Sequence, residues 1–200
     1  MSRAAVTMIE VVHAGFRGAV KLLESELQVM PLSRWNESVL RYYFCRSIAT
    51  AHPDAEQFVE CGRIDLVLAQ AAFRAFVEFK FYWHPLRFDP YGLDQRGFKG
   101  GPGLKNLGEF QACIDQLAER SPAPRLSKYV VLVYADRTED KGRQKHRFSD
   151  HYDEYQHPQV RLVESSNPIA SREGIVRAKL YEIGAAQQSV AADAHEAPRR

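Results

Sequence analysis

Three side chains in one short stretch have the types and spacing to hold a divalent cation and to work beside it: Asp65, Glu78 and Lys80. Ile64, Leu66 and Leu68 alternate with Arg63, Asp65 and Val67, and Ala75, Val77, Phe79 and Phe81 alternate with Phe76, Glu78, Lys80 and Tyr82. Both runs have the two-residue period of a strand with two unlike faces. With an antiparallel turn between Ala71 and Ala72, Asp65 falls opposite Glu78, Arg63 opposite Lys80 and Val67 opposite Phe76, all on one face. Opposed Cβ atoms lie about 5 Å apart, so the two carboxylates can share one cation. Without a cation they repel, and one of them is then expected to be partly protonated. Magnesium prefers hard oxygen ligands and keeps several waters, which suits two carboxylates, waters and a phosphate oxygen. Lys80, two residues beyond Glu78, shares its face and can orient an attacking water or offset charge on a phosphorane.

Ile64-Asp65, a gap of twelve residues and then Glu78-Phe79-Lys80 resembles the signature of the PD-(D/E)xK nucleases, the restriction-endonuclease-like superfamily. The proline of that signature is replaced here by Ile64. The resemblance covers roughly Trp35 to Tyr134. It implies that Asp65 and Glu78 bind a magnesium or manganese ion, that the carbonyl of Phe79 completes the inner sphere, and that Lys80 assists the nucleophile. The family often carries an acidic residue on a helix before the hairpin, and Glu37 fits. It shares a face with Leu40 and Phe44, and either stabilises the N-terminal dipole of its helix or touches the metal site. A helix after the Lys-bearing strand packs beside the site in the family; here its candidates are Glu109 and, as the better match, Gln111.

The elements that must position these residues follow from periodicity. Met8, Val12, Phe16, Ala19, Leu23 and Leu27 form one stripe of a helix over about 5–29, weakened by Gly15 and Gly18. Leu40, Phe44 and Ile48 mark a second helix from Ser33 to about Thr50. Strands then run from Gln57 to Tyr82, broken by short connectors. The stretch His84 to Lys105, with five glycines and three prolines, is a long loop of the kind that is often functional. Leu107, Phe110, Ile114 and Leu117 define a helix over about 107–120, and the apolar run Tyr129 to Tyr134 a strand covered on both faces. A short helix or loop around 148–156 and strands over 159–164 and 175–183 complete the order. The expectation is one α/β domain over 1–184, with a helical start over 5–50, a core over 57–135, a restriction-endonuclease-like mixed sheet flanked by helices, and a disordered tail over 185–200.

Composition sets limits. The chain has 200 residues, 45% hydrophobic and 26% charged, with a formal net charge of +2. That balance neither supports nor excludes nucleic acid. Arg63, Lys99, Lys105, Arg143 and Lys145, with Gln111, are candidate contacts to a nucleic-acid backbone; solvated loop charge and structural pairing of Arg63 with Glu78 or Glu60 are the bland alternatives. Tyr82, Trp83 and His84 are expected to pack at a strand end rather than stack on bases. His151, Asp153 and His157 match no firm zinc spacing. Cys45, Cys61 and Cys113 are too few and too scattered for a disulfide framework and read as buried free thiols in a reducing, cytoplasmic setting. No run is long enough to span a membrane, and no secretion signal is expected.

The resulting expectation is a metal-dependent nuclease that hydrolyses phosphodiester bonds, with DNA preferred to RNA on family habit alone. The alternative is an inactive domain of the same fold that binds nucleic acid or a protein partner. Whether two copies pair as a homodimer to cut both strands stays open at the level of sequence.

Overall fold

A computed structural model describes residues 6–83, 104–120, 124–137, 150–172 and 174–184. Among them the protein is α/β: a mixed seven-strand sheet with helices on both faces. Helices α1 (Met8–Glu26) and α2 (Glu37–Ala51) lead into strands β1 (Glu56–Cys61), β2 (Ile64–Gln70) and β3 (Phe73–Trp83). Then come α3 (Leu104–Glu119), β4 (Leu126–Arg137), α4 (Asp150–Asp153), β5 (Val160–Ser165), β6 (Ile169–Ala170) and β7 (Gly174–Ile183). The strand order is β1-β2-β3-β4-β7-β5, with β6 beside β7. Only β3 and β4 are parallel among these pairs, as a crossover through α3 requires.

The β2–β3 hairpin has the register read from the sequence. Val67 pairs with Phe76 and Gln70 with Phe73, so the chain turns at Ala71-Ala72. Alternation then divides the sheet. Leu66, Leu68, Ala75, Val77, Phe79 and Phe81 face α1 and α2, while Val67, Phe76 and Tyr82 face the layer of α3 and α4. Phe44 of α2 meets Phe79 edge-on at 5.2 Å, fixing α2 against β3.

Helix α1 begins in a capping box, in which Thr7 and Glu10 satisfy each other's backbone N–H groups. Its two glycines are packing positions rather than weaknesses. A Cβ on Gly15 would lie 2.7 Å from the Phe44 ring, and one on Gly18 would lie 2.4 Å from the Ser47 Cβ. They let α2 approach more closely than any larger residue would allow. Two buried lysines tie down helix ends on the other face. Lys128 Nζ donates to the carbonyls of Ala118 and Arg120 at the end of α3. Lys179 Nζ donates to those of Tyr152 and Asp153 at the end of α4. Each ammonium satisfies carbonyls that a helix terminus leaves without partners.

The loop assigned to 84–105 is helical at its end, since α3 starts at Leu104; residues 84–103 lie outside the described residues, as does the tail over 185–200. No described helix is long and apolar enough to cross a membrane.

Candidate active site

Glu78 and Lys80 stand between Phe76 and Tyr82 on the α3 side of β3, two charged groups in an otherwise apolar row. Their side chains are each only 14% exposed, and Lys80 Nζ lies 3.9 Å from Glu78 Oε2. The β2–β3 ladder stops at Leu66 and Val77. One residue further, Asp65 replaces the missing backbone partner with its side chain: Oδ2 accepts the Phe79 N–H at 2.9 Å. That bond holds the Asp65 carboxylate within hydrogen-bonding reach of Glu78. Two acids and an amine therefore meet on one face.

Their electrostatics are coupled. Burial, and then the charge of Asp65, push Glu78 up from the ordinary glutamate range to about 7, and Lys80 only partly opposes the rise. Burial works against the Lys80 ammonium, yet the negative groups around it, Cys113, Glu37, Asp65 and Glu78, hold its pKa above the ordinary lysine value. Burial also lifts the Cys113 thiol to about 11, so at neutral pH the carboxylates alone supply that negative charge. Lys80 Nζ donates to the Phe79 carbonyl at 3.1 Å. This is the oxygen that the nuclease resemblance gives to the metal, and it retains a second lone pair.

Beside these groups opens a cleft of about 320 Å³, lined by Glu78 and Lys80 from β3, by Arg63, and by Glu109, Cys113, Gln116 and Arg120 from α3. Glu109, Cys113, Gln116 and Arg120 follow the spacing of one helix stripe. Gln111 is off that stripe, exposed and outside the cleft, whereas Glu109, Gln116 and Arg120 are the polar side chains that α3 brings to it.

Arg63 also differs from its assignment opposite Lys80. Gly62 and Arg63, both left-handed at φ 59° and 65°, form the two-residue turn between β1 and β2, and β2 starts only at Ile64. Arg63 reaches the cleft from the turn rather than from the ladder, and pairs with neither Glu60 nor Glu78.

Glu37 occupies the first turn of α2, whose N-terminus is capped by Asn36 accepting the Val39 N–H at 2.9 Å. Its charge acts on Lys80, Tyr82 and Cys113, so it faces the same end of the sheet. Among the described residues, no three His, Cys, Asp or Glu side chains gather as a metal cage. Glu37 thus reaches the site through its charge on Lys80.

One residue central to this geometry has no place in the sequence reading. Arg41, one helical turn after Glu37, is 12% exposed and bridges Asp65 Oδ1 at 3.2 Å and Glu60 Oε1 at 2.8 Å. With the Phe79 N–H on Oδ2, both oxygens of Asp65 are fixed. Its partners lie nineteen and twenty-four positions away, beyond any local pattern.

The other candidates separate cleanly. Lys105 is exposed near the start of α3, outside the cleft, and Lys99, Arg143, Lys145 and His84 lie outside the described residues. Tyr82 and Trp83 are buried packing residues. His157 pairs with Asp115, and Asp153 accepts the Tyr134 hydroxyl, so His151, Asp153 and His157 form no zinc set. All three cysteines are free, but where burial was expected Cys45 and Cys113 are only half-buried and Cys61, at the end of the edge strand β1, is exposed. Comparison of the chain with protein-family models, curated proteins and solved structures returns no match.

Proposed function

We propose that this protein is a divalent-metal-dependent nuclease of the PD-(D/E)xK kind, hydrolysing phosphodiester bonds, with DNA as the expected substrate. The observation that carries the reading is that Glu78 and Lys80 line a cleft while Asp65, bonded to the Phe79 N–H, holds its carboxylate against Glu78. The order of helix, three-strand meander, helix and parallel strand, from α2 through β4, supports it, because the resemblance implies that order.

The donor set fits a hard cation. Burial, and then the nearby charge of Asp65, push Glu78 up to about 7, and a cation between the two carboxylates would offset both. Asp65, Glu78 and the Phe79 carbonyl would hold magnesium or manganese. Such an ion supplies the positive charge that polarises the phosphodiester and makes water a better nucleophile. The chain's own residues do the rest. Arg41 and the Phe79 N–H keep Asp65 in place. Glu78 would ligate such an ion in its ionised form, releasing its proton to solvent. Lys80 directs a water for in-line attack on phosphorus and offsets the charge that builds on the phosphate oxygens.

A cleavage assay on DNA and RNA substrates with magnesium or manganese, run beside Asp65→Ala and Lys80→Ala, tests the reading. Product that depends on the metal and disappears in both variants is expected. Metal-dependent product that persists in both would refute the site.

A further inference from the structure

We propose that Arg63 and Arg120 form a phosphate-anchoring subsite at one end of the cleft, binding a backbone phosphate of the nucleic acid next to the bond being cut. The inference rests on the nuclease reading and adds a substrate-binding element to it. Both arginines line the cleft that holds Glu78 and Lys80. The cleft is polar along α3: Glu109 lines it near the start of the helix and Arg120 at its end, eleven residues on, or about 16 Å of helix. An anionic strand is therefore drawn toward the Arg63 and Arg120 end and repelled from the other.

Arg120 is set in place for this role. Its guanidinium lies over the Phe76 ring, 5.8 Å from the centroid, and its Nη2 faces the Gly62 carbonyl at 3.4 Å. The end of α3 is thus joined to the β1–β2 turn that carries Arg63. Arg63 itself has φ 65°, a left-handed conformation that favours glycine or asparagine. The two-residue β1–β2 turn requires that conformation at both of its central positions, and it carries the Arg63 side chain to the cleft, where Arg63 has no carboxylate partner among the described residues. Arg120 likewise has no carboxylate partner among the described residues; what sets these two apart from exposed arginines such as Arg46 is that both line the cleft. Two guanidiniums without carboxylate partners among the described residues, one set on Phe76 and the Gly62 carbonyl and the other carried by the adjoining turn, therefore line the cleft beside the candidate phosphodiester site, and a guanidinium presents the donor fork that a phosphate accepts.

The test uses fluorescence anisotropy of a short labelled DNA duplex and its single strand, with EDTA present so that nothing is cut. The full chain is compared with Arg63→Gly, Arg120→Gln and the exposed, remote control Arg46→Ala. Each cleft variant is expected to bind roughly tenfold more weakly, the worth of one charge-assisted contact. Each should also flatten the dependence of log affinity on log salt by about one. Arg63→Gly should bind more weakly while unfolding at the same temperature as the parent or higher, since glycine relieves the turn. Affinities within twofold of the parent, or an equal loss in Arg46→Ala, would overturn the subsite. If the parent still cut DNA with magnesium in that case, the nuclease reading would survive alone. If DNA binding depended on both arginines but no substrate were cut, the subsite would stand and the nuclease reading would fail.

Discussion

Replacing Glu78 with glutamine should stabilise the metal-free protein while removing its function. Glu78 has its pKa raised to about 7 against an ordinary value of 4.5. A group with a raised folded-state value contributes stability that is fully present below about 4.5 and is lost as pH rises through about 7. Ionising Glu78 in the fold at pH 8.5 costs up to ~3 kcal/mol, and solvent at the cleft mouth reduces this to roughly 1–3 kcal/mol. Glutamine has nearly the same shape, carries no charge, and donates an N–H toward Asp65 where the protonated acid would donate its O–H. The two proteins should therefore have equal urea midpoints near pH 4.5, with the variant pulling ahead by that amount by pH 8.5. Saturating magnesium should close the gap by stabilising the parent alone. A gap that does not widen with pH, or a variant less stable than the parent at pH 8.5, would refute this account of the site.

Other predictions follow from the same geometry. Asp65→Asn removes the second-largest cause of the Glu78 shift, so the Glu78 carboxyl carbon, followed by NMR, should titrate at lower pH than in the parent; an unchanged midpoint would put the cause in burial alone. Arg41→Ala frees one oxygen of Asp65 and leaves that acid without its buried partner, which should cost about 1–3 kcal/mol of stability and weaken manganese binding measured by calorimetry. Arg41→Lys should restore most of the stability but less of the metal affinity, and equal rescue of both would make Arg41 merely structural. Lys80→Ala should lower kcat on the order of a hundredfold with KM little changed, and a loss confined to KM would assign Lys80 to binding. Gly15→Ala, which places a Cβ against the Phe44 ring, should cost about 1–3 kcal/mol in thermal or chemical unfolding.

Much of the site was legible because it lies on local pattern. Alternation fixed which side chains of β2 and β3 share a face, and the small Ala71-Ala72 pair fixed the turn, so register and the Asp65, Glu78, Lys80 set followed together. The stripes of α1, α2 and α3 were read from their 3.6-residue period, and Phe16, Leu23, Phe44, Ile48, Phe110 and Ile114 are all buried. What escaped depends on tertiary contact. Arg41 bonds Asp65 across twenty-four positions, and Lys128 and Lys179 satisfy carbonyls whose nearness no local pattern encodes. Arg63 left the ladder because two left-handed residues close the β1–β2 turn, a conformation that the side chain of an arginine does not advertise. The two-residue strand β6 was too short to carry a period.

The most direct test of the central claim is calorimetric titration of manganese into the metal-free protein at pH 8, beside Asp65→Asn and Glu78→Gln. One ion bound by the parent, with affinity falling at least tenfold in each variant, is the expected result. Equal affinity in all three proteins, or none in the parent, would mean that the two carboxylates do not share a cation.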